Sequence, residues 1–249
     1  MFPHPMNTRC ISALAFFSLT GLAVAGPVFD INFEPPACPE GASFEARTNR
    51  GNLAGSAPAM ITDITTRDGV TDNAWTASVV KSLSDEKNHW LKFDIPAGTA
   101  FSGRIQAHDP YRINKGDTGT WFLQFDYTPL EGEGGFLGGW TFIDVNGIQI
   151  SNHINNHPFF FDSIAGGPRF TPGKTSRVRL EIDMGSSAAT AFRVFVDGKQ
   201  VVAQPAFNNI GNELGGFAFH LAGESNPVFN SATSFAFDNI LFGPVEASK

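Results

Sequence analysis

Along most of the chain apolar and polar residues alternate one by one. That is the period of a β-strand whose two faces meet different surroundings. Val28 to Glu34 is the cleanest case: Phe29, Ile31 and Phe33 fall on one face, and Asp30, Asn32 and Glu34 on the other. The same pattern predicts strands over Ala74 to Lys81, His89 to Ile95, Arg104 to His108 and Trp121 to Tyr127. Trp140 to Val145 and Ile148 to Ile154 flank Asn146-Gly147, a pair that favours the two-residue turn of a hairpin. Phe159 to Asp162 follows. Four runs then close the chain: Val178 to Asp183, Phe192 to Val202 with Asp197-Gly198 at its bend, Gly216 to Leu221, and Phe235 to Phe242. Glycine and proline stand in nearly every gap, and no long segment carries a 3.6-residue apolar stripe. Many short strands separated by turns predict one β-sandwich or barrel domain.

The two ends frame that domain. Ile11 to Leu22 is apolar, Arg9 precedes it, and Ala23-Val24-Ala25 is an A-x-A cleavage signature. Residues 1–25 are expected to be a signal peptide, 26–244 a single β-sandwich, and 245–249 a short polar tail. The apolar run is shorter than the roughly 20 residues that a membrane-spanning helix needs, so secretion is expected and membrane insertion is not. Cys10 leaves with the leader. Cys38, beside Pro35, Pro36 and Pro39, is then alone, which excludes an internal disulfide. Removing residues 1–25 takes away one basic residue and no acidic one, leaving sixteen Lys and Arg against twenty-four Asp and Glu. This balance argues against nucleic acid and anionic membranes as partners. The 25 Phe against 2 Tyr and 4 Trp assign most of the aromatic content to packing.

Three runs resemble a known superfamily. Phe195-Val-Asp-Gly-Lys-Gln-Val-Val202 resembles the strand, Asp-Gly turn and strand of the concanavalin A-like jelly rolls, which include laminin-G-like, lectin and glucanase sandwiches. Arg177 to Asp183 looks like the strand before that hairpin. Phe237-Asp-Asn-Ile-Leu-Phe242 resembles the closing strand, and Asp30-Ile-Asn-Phe-Glu34 the opening one. The resemblance implies an antiparallel β-sandwich in which the first and last strands lie side by side. It also implies a structural calcium there, with Asp238 as one ligand. Asp30 and Glu34 are plausible further oxygen donors, since calcium takes six to eight oxygens.

Two constellations could carry chemistry. Laminarinase-type enzymes of this superfamily carry Glu-x-Asp-x-x-Glu on one strand, where period-two spacing gathers the carboxylates. Here Glu181-Ile182-Asp183 is followed by Met184-Gly185-Ser186, so the second Glu is missing, and the strand directly precedes the Asp-Gly hairpin. Glu181 and Asp183 are therefore read as solvent-facing. The other constellation is polar: Arg104, Gln106 and His108 in one run, and Gln149, Ser151, His153, Asn155 and His157 in another. Arg, Gln and Asn can neutralise a uronate carboxylate while His or Tyr removes the adjacent proton, the chemistry of a β-eliminating lyase. Tyr127 or Tyr111 would serve as the acid. The Arg-x-Glu-Leu and Gln-Ile-His strands of jelly-roll alginate lyases are absent; Gln149-Ile150 is followed by Ser151. Trp140 enters the strand leading into the polar run and could stack on a sugar ring, and His220 lies on the opposite face from Phe219 and Leu221. The sequence therefore leads to a secreted, monomeric, non-catalytic glycan-binding protein. Its ligand residues would be Arg104, His108, Trp140, His153, Asn155 and His157. A polysaccharide lyase or hydrolase, and an adhesive protein without a small ligand, are the alternatives.

Overall fold

The computed structural model describes residues 27–36, 40–41, 43–44, 76–97, 104–108, 118–132, 139–144, 154–157, 160–161, 170–186, 189–205, 214–220 and 231–245. Among these, fourteen strands form two antiparallel sheets. The strands are β1 (Phe29–Ile31), β2 (Ser43–Phe44), β3 (Thr76–Lys81), β4 (His89–Ile95), β5 (Arg104–His108), β6 (Gly119–Glu131) and β7 (Gly139–Asp144). They continue with β8 (Ile154–His157), β9 (Phe160–Phe161), β10 (Ser176–Met184), β11 (Ala189–Val196), β12 (Lys199–Pro205), β13 (Leu214–His220) and β14 (Thr233–Pro244). The nine-stranded sheet runs β12-β11-β10-β6-β14-β4-β3-β2, with β1 also on β14; the five-stranded sheet runs β5-β13-β7-β8-β9.

Alternation builds the sandwich. On β6, Leu123, Phe125 and Tyr127 are wholly buried and point between the sheets. Phe125 meets Trp140 and Phe219 of the smaller sheet at ring-centre distances of 4.7 and 4.8 Å. Phe237 of β14 stacks on Phe219 at 4.8 Å. Burial of such rings is the main driving force for closing two sheets face to face. The expected antiparallel β-sandwich is the observed fold, and β1 pairs with β14 through Phe29–Phe242 and Ile31–Ile240, bringing the first and last strands together. Residues 1–25, the expected leader, and Asn146-Gly147 lie outside the described residues.

Candidate functional site

The face of the five-stranded sheet turned away from the core is fixed by register. Arg104 of β5 pairs with His220 of β13, His220 with Gly139 of β7, and Gly139 with Asn155 of β8. Directly paired residues in antiparallel strands share a face. These four positions therefore form one row, opposite the face that carries the paired Trp140 and Phe219. At the usual spacing of about 4.8 Å per strand the row spans about 14 Å. Gln106 stands on the same face one step along β5, paired with Ala218. The middle of the row is a glycine, and the described positions of this face, Gly139, Thr141, Ile143 and Ala218, are buried.

The polar positions expected from the sequence are thus partly gathered. Arg104 and Asn155 share the row. His108 pairs with Gly216, four residues further along β5, about 13 Å away at strand rise. His157 lies beyond the row on its other side and pairs with Phe160. His153 lies outside the described residues, as does Tyr111. His220, paired with both Arg104 and Gly139, is the position that the ligand-residue reading left out; its alternation against Phe219 was the available signal.

Two aromatic expectations are overturned. Trp140 is 1% exposed and packs edge-on against Phe125 and Tyr127, so its ring cannot stack on a sugar. Tyr127 is wholly buried between the sheets, and burial pushes its hydroxyl far above the ordinary range, which removes it as a proton donor at a surface. Both follow from alternation: each residue shares its strand face with core phenylalanines. Glu181 and Asp183 face outward from β10, as read from the sequence. Arg193 holds Asp183 through two bonds of 2.8 and 2.6 Å and Glu181 through one of 3.2 Å. Hydrogen bonding from Arg193, and secondarily from Thr120, keeps the Asp183 carboxyl below its usual range. These carboxylates belong to an ion-pair ladder.

The carboxylates assigned to calcium do not form one set. Asp30 is exposed and pairs with Leu241, three residues along β14 from Asp238. Glu34 accepts from the His89 backbone N–H at 2.7 Å and contacts His89 Nδ1 at 2.9 Å. Asp238 accepts from Asn88 Nδ2 at 2.9 Å, from the Asn239 backbone N–H at 2.7 Å, and from Asn239 Nδ2 at 3.2 Å. No group of three or more His, Cys, Asp and Glu among the described residues is placed to hold a metal ion. Asp30 thus stands apart from the other two, and the oxygens of Glu34 and Asp238 already meet N–H donors, an arrangement that does not fit the implied calcium. Asp238 is 5% exposed, and burial, countered by its bonds to Asn88 and Asn239, raises its carboxyl to about 6.

No protein-family model matches the chain, and no curated protein matches it in sequence. Solved structures do match in shape. Alginate lyase Aly36B aligns at a TM-score of 0.50 and 11% identity, covering 89% of this chain and 98% of that one. An endo-β-1,4-glucuronan lyase from the fungus Trichoderma reesei aligns at a TM-score of 0.46 and 15% identity, covering 79% and 94%. A sialidase aligns at 0.47 and 13%, covering 77% of this chain but 19% of its own. At 11% identity the likeness to Aly36B speaks to the fold alone, a jelly-roll sandwich. The expectation of a non-catalytic lectin is corrected by one of these structures: Aly36B, matched over 89% of this chain, is an alginate lyase. Among the described residues no helix is long and apolar enough to cross a membrane.

Proposed function

We propose that the protein is a polysaccharide lyase that cleaves a uronate-containing polymer by β-elimination on the outer face of the five-stranded sheet. The observation that carries this reading is the register row Arg104, His220, Gly139, Asn155. A β-elimination needs a carboxylate neutraliser, so that the proton beside the carboxylate becomes acidic, and a base to remove it. Arg104 and Asn155 flank the centre and supply neutralisation, with Gln106 beside Arg104. His220 is the base. It takes the C5 proton, the released electron pair forms the C4–C5 double bond, and the glycosidic bond at C4 breaks. The departing oxygen then takes the proton back from the imidazolium. That alginate lyase Aly36B has been solved with an alginate tetrasaccharide supports this substrate class. The apolar leader ending at Ala25 fits export to where such polymers occur.

The test is ultraviolet absorbance of unsaturated uronate product from alginate and from glucuronan, with a neutral β-glucan as control. Product is expected from at least one uronate polymer and none from the glucan. His220→Asn and Arg104→Ala should each lower kcat by about a hundredfold or more, the usual contribution of a general base or a charge stabiliser. Full activity in His220→Asn, or no product from any uronate polymer, would remove the reading.

A further inference from the structure

A second site lies on the other side of the sandwich. A cleft of about 270 Å³ opens in the outer face of the nine-stranded sheet, lined by Asn88, Trp90, Asp126, Thr128, Asp238 and Asn239 among others. It is a product of the closing strand. Register shifts between Asp238 and Leu241, and Asn239 adopts φ +49°. A bulge of this kind re-aims side chains and is common beside functional sites. The walls are held in place: Arg177 clamps Asp126 through Nε at 2.9 Å and its terminal nitrogen at 3.1 Å, and Asn239 Nδ2 bonds Asp126 at 2.9 Å. Thr128 bonds Thr175 at 2.8 Å.

The lining selects its ligand by charge and by hydrogen bonding. Asp126 and Asp238 repel an anion, and the nearby cation, Arg177, is already committed to Asp126. A metal ion is disfavoured because the amide hydrogens of Asn88 and Asn239 point at the carboxylates that would have to bind it. A hydroxyl both donates and accepts, which suits a wall mixing carboxylates, carboxamides and threonine hydroxyls. An independent observation points the same way. Trp90 lines the cleft, and its indole N–H is buried without a hydrogen-bond partner among the described residues, an exception in a folded protein. The volume falls just below the range of about 300–1,000 Å³ that holds drug-sized ligands, which leaves space for one ring rather than an oligomer.

We propose that this cleft binds an uncharged, hydroxyl-bearing ring of the size of one neutral sugar residue. It would be an accessory site, separate from the row on the opposite sheet, and does not depend on the lyase reading. The experiment is titration of the full chain with glucose, galactose, mannose, glucuronic acid and calcium chloride, followed by heat and by the indole N–H resonance of Trp90 in NMR. One neutral sugar should bind and shift that resonance. Trp90→Phe should weaken binding by about tenfold, the loss of one good hydrogen bond, while uronate cleavage, if present, is unchanged. If that variant fails to fold, the wild-type indole shift decides the matter. The proposal is overturned if no neutral sugar moves the resonance, if glucuronic acid or calcium binds more tightly than every neutral sugar, or if folded Trp90→Phe keeps full affinity.

Discussion

Burial of Asp238 has a consequence that a titration can read. Its carboxyl sits at about 6 in the folded chain against an ordinary value of 3.8. An acid whose pKa is raised by folding binds its proton more tightly in the native state. Its contribution to stability is therefore full below about pH 4 and is lost as pH rises through about 6. Asp183 works in the opposite sense, because its carboxyl is held low, so the whole curve mixes the two. Asp238→Asn isolates the first. Relative to wild type, the variant should gain about 1–2 kcal/mol between pH 4 and 6.5, a value reduced for partial solvent screening. Urea unfolding at four pH values checks this, and a gap that stays constant with pH would contradict it. The sequence singled out Asp238 from its place in the closing strand. It could not show the partner: Asn88 lies 150 residues earlier and meets Asp238 only because β4 and β14 are neighbours. Trp140 failed for a related reason. Alternation shows that it shares a face with Phe142, but Thr141 between them is buried as well, so composition alone does not tell which face is the core.

Strands were legible where one face is wet. The expected run at Val178 to Asp183 lies inside β10, where buried and more exposed positions alternate, and the Asp197-Gly198 bend is the turn between β11 and β12. Both turn residues have positive φ, 49° and 78°, as a two-residue hairpin turn demands. Asp197 does more than turn the chain: its carboxylate accepts from the Arg177 backbone N–H at 2.8 Å and from Ser176 Oγ at 3.2 Å, tying the hairpin to β10. The central strands ran longer than expected. β6 extends to Glu131 and β14 to Pro244, because strands flanked on both sides continue past the end of simple alternation. Nor does sequence alternation reveal how closely β1 approaches β14. A Cβ at Gly243 would lie 2.9 Å from Pro27 Cα, next to the 2.7 Å bond from the Val28 N–H to the Phe242 carbonyl. Gly243→Ala must therefore push the opening strand away from the closing one. We expect a loss of about 1–3 kcal/mol, typical of overpacking against backbone, with faster hydrogen exchange at Val28. Unchanged thermal stability together with unchanged exchange at Val28 would mean that β1 contributes little to closure.

For the whole molecule, charge and substrate stand in tension, and the tension is measurable. The chain carries a formal net charge of −7, a balance that argued against nucleic acid and anionic membranes, yet the proposed substrate is itself a polyanion. The two are compatible if long-range repulsion is overcome by local contacts at the row, where Arg104 is proposed to meet the substrate carboxylate. Repulsion between net charges acts over the Debye length, about 30 Å at 0.01 M salt and about 8 Å at 0.15 M. The contact between Arg104 and a bound carboxylate is far shorter and is screened much less. Adding sodium chloride over that range should therefore lower KM for a uronate polymer while leaving kcat nearly constant, because encounter is eased and the bound geometry is not altered. The opposite result is informative. A KM that rises steadily with salt would show that a basic surface outside the row recruits the polymer, and that the row alone does not define the binding site. Arg104→Ala separates the two effects: it should raise KM and lower kcat at every salt concentration, but keep the downward slope of KM with salt, since that slope belongs to the net charge and not to the row.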